Sequence, residues 1–292
     1  MEDITRVKAR LANIRSIEPI LEALRTISIG VWQMALKQQG WLREYEGYLG
    51  ALLSALLPTL AALRCLRSPN VPASPQRLAA LVIGSERGLC GGFNHALVGA
   101  VEEYMQGGRL VELWALGARL SRLLRRRARE PVWSGSLPTG ALPPFAIAWE
   151  LSHLWLADYE TYRLDAVDLI YNAYRGPGVY TPVVFRLLPP ESPLMEHREV
   201  WPPPIVETEP QRIFARVLEQ QVALRLYRVL LESAASEHSA RFQLMESATQ
   251  NAERLVEELT QVFQAVRQHT VTREMQELAV GAGLVGPRRE SG

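Results

Sequence analysis

The chain has 292 residues, 48% of them hydrophobic and 22% charged, with a formal net charge of +1. That suffices for one or two domains with a real core. It excludes a global field that would draw the chain to nucleic acid or to an anionic membrane surface.

The N-terminal stretch carries a helical pattern. Ile4, Val7, Leu11 and Ile14 step by 3, 4 and 3, and after Ile17 the pattern resumes through Leu21, Leu24, Ile27, Val31 and Met34. This predicts a long amphipathic helix from Asp3 to Leu57. Pro19 is expected to kink it or remove one ladder bond, and Gly30 and Gly40 weaken it. A proline cluster from Pro69 to Pro75 closes the segment.

An α/β segment follows. Arg77 to Ile83 is a short apolar run, as a buried strand requires. It ends in Gly84-Ser-Glu-Arg-Gly-Leu-Cys-Gly-Gly92 and leads to a helix expected over Asn94–Gln106. Leu110–Leu116 reads as a second strand and Ala118–Ala128 as a basic helix. Asp165–Tyr171 and Thr181–Leu188 read as further strands. This order predicts a small doubly wound sheet.

Between Gln211 and Val280 there is neither proline nor glycine, which predicts a very long helix or two helices with a subtle joint. At 1.5 Å per residue it would reach roughly 105 Å. Thr208, Glu209 and Pro210 supply a start, and Gly281, Gly283 and Gly286 a stop. Met245, Ala248, Ala252, Leu255, Leu259, Val262 and Val266 alternate steps of 3 and 4, the seam of a coiled coil. The two long helices lie at opposite ends of the chain and can pair antiparallel. The expected organisation is a coiled-coil helix over 1–60, an α/β domain over 76–190 and a second coiled-coil helix over 208–286.

The chemical inventory is thin. The turn Gly88-Leu-Cys-Gly-Gly92 lacks the Gly-Lys-Ser/Thr ending of a phosphate loop and the Gly-x-Gly-x-x-Gly of a dinucleotide site. Gly88, Gly91 and Gly92 read better as suppliers of positive φ in a tight strand-to-helix turn around Cys90. A nucleophilic Cys90 would need a base, and only His95 is near in sequence, without an orienting third group. Cys65 and Cys90 have no metal or disulfide spacing, as in a reducing compartment. The five histidines form no metal-ligand pattern and are expected to be solvated or capping. Arg119, Arg122, Arg125, Arg126, Arg127 and Arg129 form a basic stripe, read as a solvated helix face. No stretch approaches the ~20 apolar residues of a membrane span. No secretory signal precedes Ile4, so membrane association is expected only through partners. Two long helical arms without a catalytic constellation predict a mechanical or scaffolding role and no cofactor or metal.

Three stretches resemble the gamma chain of F-type ATP synthases. They are Ile83-Gly-Ser-Glu-Arg-Gly-Leu-Cys-Gly-Gly-Phe-Asn94, the helix Ala235-Ser-Glu-His-Ser-Ala-Arg-Phe-Gln-Leu-Met-Glu-Ser-Ala-Thr-Gln-Asn-Ala252, and the ending Val266-Arg-Gln-His-Thr-Val-Thr-Arg-Glu-Met-Gln-Glu-Leu-Ala-Val-Gly-Ala282. Asp168–Asn172 and Leu187–Pro189 are weaker echoes. The resemblance implies a rotor shaft inside a ring of alpha and beta subunits, with its α/β foot against the epsilon subunit and the c ring. It implies a peripheral place on the cytoplasmic face of the cell membrane, with ATP chemistry left to alpha and beta. Arg267 and Gln268 match a pair that faces a beta-subunit loop, and Glu274 and Glu277 match acids of the same helix. The departures are Pro19, where a lysine is usual, and Leu21–Val31, where only Arg25 keeps a positive charge. A gamma-like adaptor that does not rotate, and a small enzyme on the α/β domain, are the competing readings.

Overall fold

A computed structural model describes residues 4–62, 77–106, 110–189 and 209–282. Five strands form one sheet in the order β3-β2-β1-β4-β5. They are β1 (Arg77–Ile83), β2 (Leu110–Leu116), β3 (Trp133–Gly135), β4 (Ala166–Gly176) and β5 (Val179–Leu188). β1 runs parallel to β2 and to β4, with Leu81 opposite Trp114 and Leu169. β3 is parallel to β2, and β5 is antiparallel to β4.

The helices are α1 (Ile4–Ala62), α2 (Phe93–Met105), α3 (Ala118–Arg126), α4 (Phe145–Glu160) and α5 (Pro210–Gly281). Alternation along β1 divides the core, as the period of 2 in a strand requires. Ala80 and Val82 pack with Phe93, Leu97 and Leu120 of α2 and α3. Ala79, Leu81 and Ile83 face the other way, toward Leu151 and Trp155 of α4 and Leu226 and Leu230 of α5. The sheet is doubly wound, and one of its covering helices is the middle of α5.

α4 and β3 escape the sequence reading. β3 is three residues long and has no periodicity to read. α4 has no side-chain cap at its N-terminus, which follows Pro144. Its buried Ala148, Leu151 and Trp155 are spaced as a helix face, but apolar residues elsewhere on the helix blur the stripe.

Contacts divide the chain into two units, residues 26–244 and residues 1–25 with 245–292. In the larger unit α1 and α5 run antiparallel. Trp32 stacks near Phe242, Glu46 pairs with Arg228 at 3.3 Å, and Leu49 and Leu53 cluster with Val217 and Leu224. In the smaller unit Arg25 donates to Glu246 at 2.7 Å, and Val7, Met245, Ala252 and Leu259 are buried.

Several readings need correction. α1 runs without a break through Pro19 and Pro58 to Ala62, five residues beyond the end expected at Leu57. Pro19 lies on the exposed side, where losing one ladder bond leaves the carbonyl open to water. The α1 seam against α5 passes through Ser28, Val31, Ala35, Leu42, Glu46, Leu49 and Leu53, so Ile27 and Met34 are exposed rather than buried. In α5 the heptad row of Met245, Ala252, Leu259 and Val266 stands, but its companions are Val256 and Phe263; Leu255 and Val262 face outward. Apolar spacing admits either neighbour as companion, and packing selects one. The start expected at Thr208 and the stops at Gly283 and Gly286 lie outside the described residues; the helix itself ends at Gly281.

Candidate functional site

In an open α/β sheet, ligands bind in the crevice beyond the carboxyl ends of the strands, where the chain order switches sides. Here that point lies between β1 and β4, and the Gly84–Gly92 turn leaves β1 there. The turn is a closed hydrogen-bond system. The Ser85 N–H donates to Asn94 Oδ1 at 3.0 Å, Asn94 Nδ2 donates to Ser85 Oγ at 2.7 Å, and Ser85 Oγ donates to the Arg87 carbonyl at 2.7 Å. Glu86 accepts from the N–H groups of Ala118 (3.0 Å) and Leu137 (2.9 Å). A carboxylate at the first amides of α3 is favoured by the helix dipole and by the unpaired N–H groups there.

Positive φ falls on Leu89 (62°) and Gly91 (60°). Gly92 has an ordinary φ of −78° and precedes α2, and Gly88 is not in the left-handed region either. The requirement for glycine is sharpest at Gly84, where an added Cβ would lie 2.6 Å from Leu120 Cβ.

Cys90 is buried, its thiol 3.5 Å from Ser85 Oγ, and burial pushes its pKa up. A thiol held protonated is a poor nucleophile. His95 is exposed on α2 and is not among its partners.

The crevice is filled by α5. Ser233 Oγ donates to the Ile83 carbonyl at 3.4 Å, and Arg241 Nη2 donates to the Gly88 carbonyl at 3.4 Å. Ser239 Oγ accepts from the Gly178 N–H at 2.6 Å in the β4–β5 turn, and Tyr171 donates to Glu232 at 3.2 Å. Arg241 also forms a buried ion pair with Glu237 one turn earlier. Burial pushes the Glu237 carboxyl upward while the Arg241 charge opposes this. His238 is buried too, contrary to the expectation of a solvated ring. Burial and then the Arg241 charge lower its pKa to about 3, so it is neutral and its Nδ1 can accept from Arg241 Nη1 at 3.4 Å.

The cluster joins α5 to the turns at the end of the sheet. It fixes one long helix, in rotation and in register, to the end of the sheet. Turning α5 about its axis would break the hydrogen bonds of Ser233, Ser239 and Arg241 to the sheet and its turns. Sequence reading found the glycine turn but missed Glu86, Glu237, His238 and Arg241. The available signal was the polar Ala235–Arg241 run, which has no exposed face to justify its polarity.

The other expected site residues are far along α5. Arg267, Gln268 and Glu274 are all exposed. Arg267 and Glu274 are seven residues apart and share a face, while Glu277 pairs with Arg273 at 2.9 Å. Arg119, Arg122, Arg125, Arg126 and Arg127 are exposed on and just after α3, and Arg129 is half-buried. Among the described residues no three His, Cys, Asp or Glu side chains are grouped to hold a metal, and no helix is long and apolar enough to cross a membrane.

An antiparallel helix pair packed on a doubly wound domain is the fold of a stalk protein. The family described as ATP synthase matches residues 3–283. The ATP synthase gamma chain of Moorella thermoacetica is 30% identical over 97% of this chain and 99% of its own length. That of Heliobacterium modesticaldum is 29% identical over 98% and 100%. The fold resembles a chain in the central stalk and c-ring structure of Tetrahymena thermophila mitochondrial ATP synthase, with TM-score 0.58 and 22% identity over 78% of this chain and 99% of that one. A chain in the rotor of the Euglena gracilis enzyme gives TM-score 0.59 and 13% identity over 92% and 98%. The chain belongs to the ATP synthase gamma-chain family.

Proposed function

We propose that this chain is the central shaft of a rotary F-type ATP synthase, coupling ion passage through a membrane ring to ATP synthesis or hydrolysis on the beta subunits. Its partners are then the alpha and beta subunits, the epsilon subunit and the c ring. It is peripheral to the cytoplasmic face of the cell membrane, held there through the ring. The chain performs no ATP chemistry alone. The observation that carries this reading is the junction on α5. One helix is tied to the end of the sheet by Ser233, Ser239 and Arg241, and the same helix runs to Gly281. Torque applied to the domain therefore passes to α5. A rotor acts on its ring only by different contact energies in different orientations, and the exposed Arg267, Gln268 and Glu274 are the residues we assign to beta-subunit contact.

Co-expression with alpha and beta subunits tests this. The chain should co-purify with the ring and raise its ATPase rate. Arg267→Ala and Glu274→Ala should lower that rate without shifting the melting temperature of the isolated chain. A ring equally active with and without the chain would refute the assignment.

A further inference from the structure

Exposed arginines of this chain are of two kinds. Arg216, Arg254 and Arg273 lie on α5, and each pairs with a glutamate three or four residues on: Glu219, Glu258 and Glu277. Arg119, Arg122, Arg125, Arg126 and Arg127, on and just after α3, are exposed as well. Among the described residues none of these five has a carboxylate within ion-pair distance. Arg122 donates to the Ala118 carbonyl at 3.2 Å and Arg125 to Ser134 Oγ at 3.4 Å, both neutral acceptors. Glu86, at the start of α3, serves the Ala118 and Leu137 amides.

A second observation concerns the helix that carries them. From Gly117 to Arg129 there is no acidic residue. Arg119, Arg122 and Arg126 step by 3 and 4, opposite the buried Leu120, Ser121 and Leu124. One face therefore holds three like charges at the spacing where helix neighbours repel. Arg119 also stands in the first turn, at the positive end of the helix dipole. Only Arg125 and Arg126, in the last turn, are placed as a cation prefers. The chain's own residues do not offset this concentration of charge, and an external anion would.

We infer that the arginine face of α3 is a docking surface for the phosphates of an anionic phospholipid membrane. The net charge of +1 is an average over the chain and does not describe this face. A convex helix face about 13 Å long does not enclose a small anion, but it meets several phosphates of a flat array at once. Guanidinium groups hold phosphate bidentately, and each cation near an anionic leaflet adds to the attraction. Just beyond the patch Val132 is 66% exposed, an apolar contact for the headgroup boundary. Nucleic acid also offers phosphates, but single strands are held by stacking on aromatic rings as well. The aromatic residue nearest the patch in the chain, Trp133, packs on Trp114 at 5.3 Å instead. The choice of a membrane rests in part on the shaft reading, which sets this domain beside a membrane ring.

The test is flotation of the purified full-length chain with lipid vesicles. The chain should float with vesicles containing phosphatidylglycerol and stay behind with phosphatidylcholine alone. Binding should fall about tenfold or more between low salt and ~0.5 M salt. Arg122→Gln with Arg125→Gln and Arg126→Gln should lower it at least about tenfold at fixed salt, with the melting temperature unchanged. Arg216→Gln with Arg254→Gln and Arg273→Gln removes the same charge from paired positions and should change binding less than about twofold. Equal losses in the two triple variants would mean that net charge alone is read, and would overturn the proposal. So would equal flotation with both lipids, or no flotation with phosphatidylglycerol at low salt. Release by inorganic phosphate beyond that by chloride at equal ionic strength would make the ligand a small anion, and tighter binding to single-stranded RNA than to vesicles would make it nucleic acid; either result overturns the membrane. Co-purification with the alpha/beta ring is scored on the same preparations. Vesicle binding absent with the ring retained sinks only this face, and the ring lost with vesicle binding kept sinks only the shaft reading.

Discussion

Helix α5 is one element in two environments. From Gln221 to Arg241 every position is buried or half-buried, and polar side chains there are matched to carbonyls, amides and an ion pair. From Met245 onward only one line of residues is covered, and beyond Val266 nearly every residue is exposed. The first environment behaves as a domain core, the second as a thin seam. A rotor needs this split. The attached part must not slip, and the free part must offer side chains to others.

The largest effect is expected at the junction. Arg241→Leu leaves the Glu237 carboxylate buried without its partner and should cost ~3–5 kcal/mol. Adding Glu237→Gln should restore a large part of it, as read in urea unfolding of the isolated chain. A single variant as stable as the parent would mean that the ion pair does not hold the helix.

Core truncation comes next. Leu226→Ala, fully buried among the α4 and β-sheet side chains, should cost ~2–5 kcal/mol. Its measured value sets the scale against which the seam is judged.

pH sharpens the contrast further. The His238 pKa falls to about 3 in the folded chain, against ~6.5 when unfolded. Below pH 6.5 the unfolded chain takes up a proton that the folded chain refuses. The stability is therefore whole above pH 6.5 and is lost progressively as pH falls toward 3. Between pH 7.5 and pH 5 the loss should be about 2 kcal/mol. His238→Phe should flatten that slope in thermal melts, and an unchanged slope would place the titration elsewhere.

The smallest effects belong to the seam. Leu259→Ala should cost ~1–2 kcal/mol, since that residue is 8% exposed in a two-helix contact. Leu255→Ala, at 40% exposure, should cost less than ~1 kcal/mol. Equal losses at the two positions would restore the register read from apolar spacing alone.

That register shows where sequence reading stops. A step of 3 and a step of 4 both return to the same face of a helix, so Leu255 and Val256 compete on equal terms until a partner surface is present. The same ambiguity put Ile27 and Met34 in the α1 seam, where Ser28 and Ala35 sit. The α/β segment was more legible: β1, β2, α2 and α3 each carry a local apolar signature bounded by glycine. α4 was not, because exposed apolar residues such as Phe145 and Leu154 blur its single buried face.

By itself the sequence determined the two long terminal helices and the glycine-rich turn after β1, because breaker placement and heptad spacing are local properties of the chain. It also carried the family, through motifs spread over nearly its whole length. Tertiary structure alone decided which faces of those helices are covered, that α5 fills the crevice of the sheet, and that Glu237, His238 and Arg241 are buried. Those outcomes depend on residues far apart in the chain meeting in space, and no local pattern encodes which of several compatible faces the meeting will use.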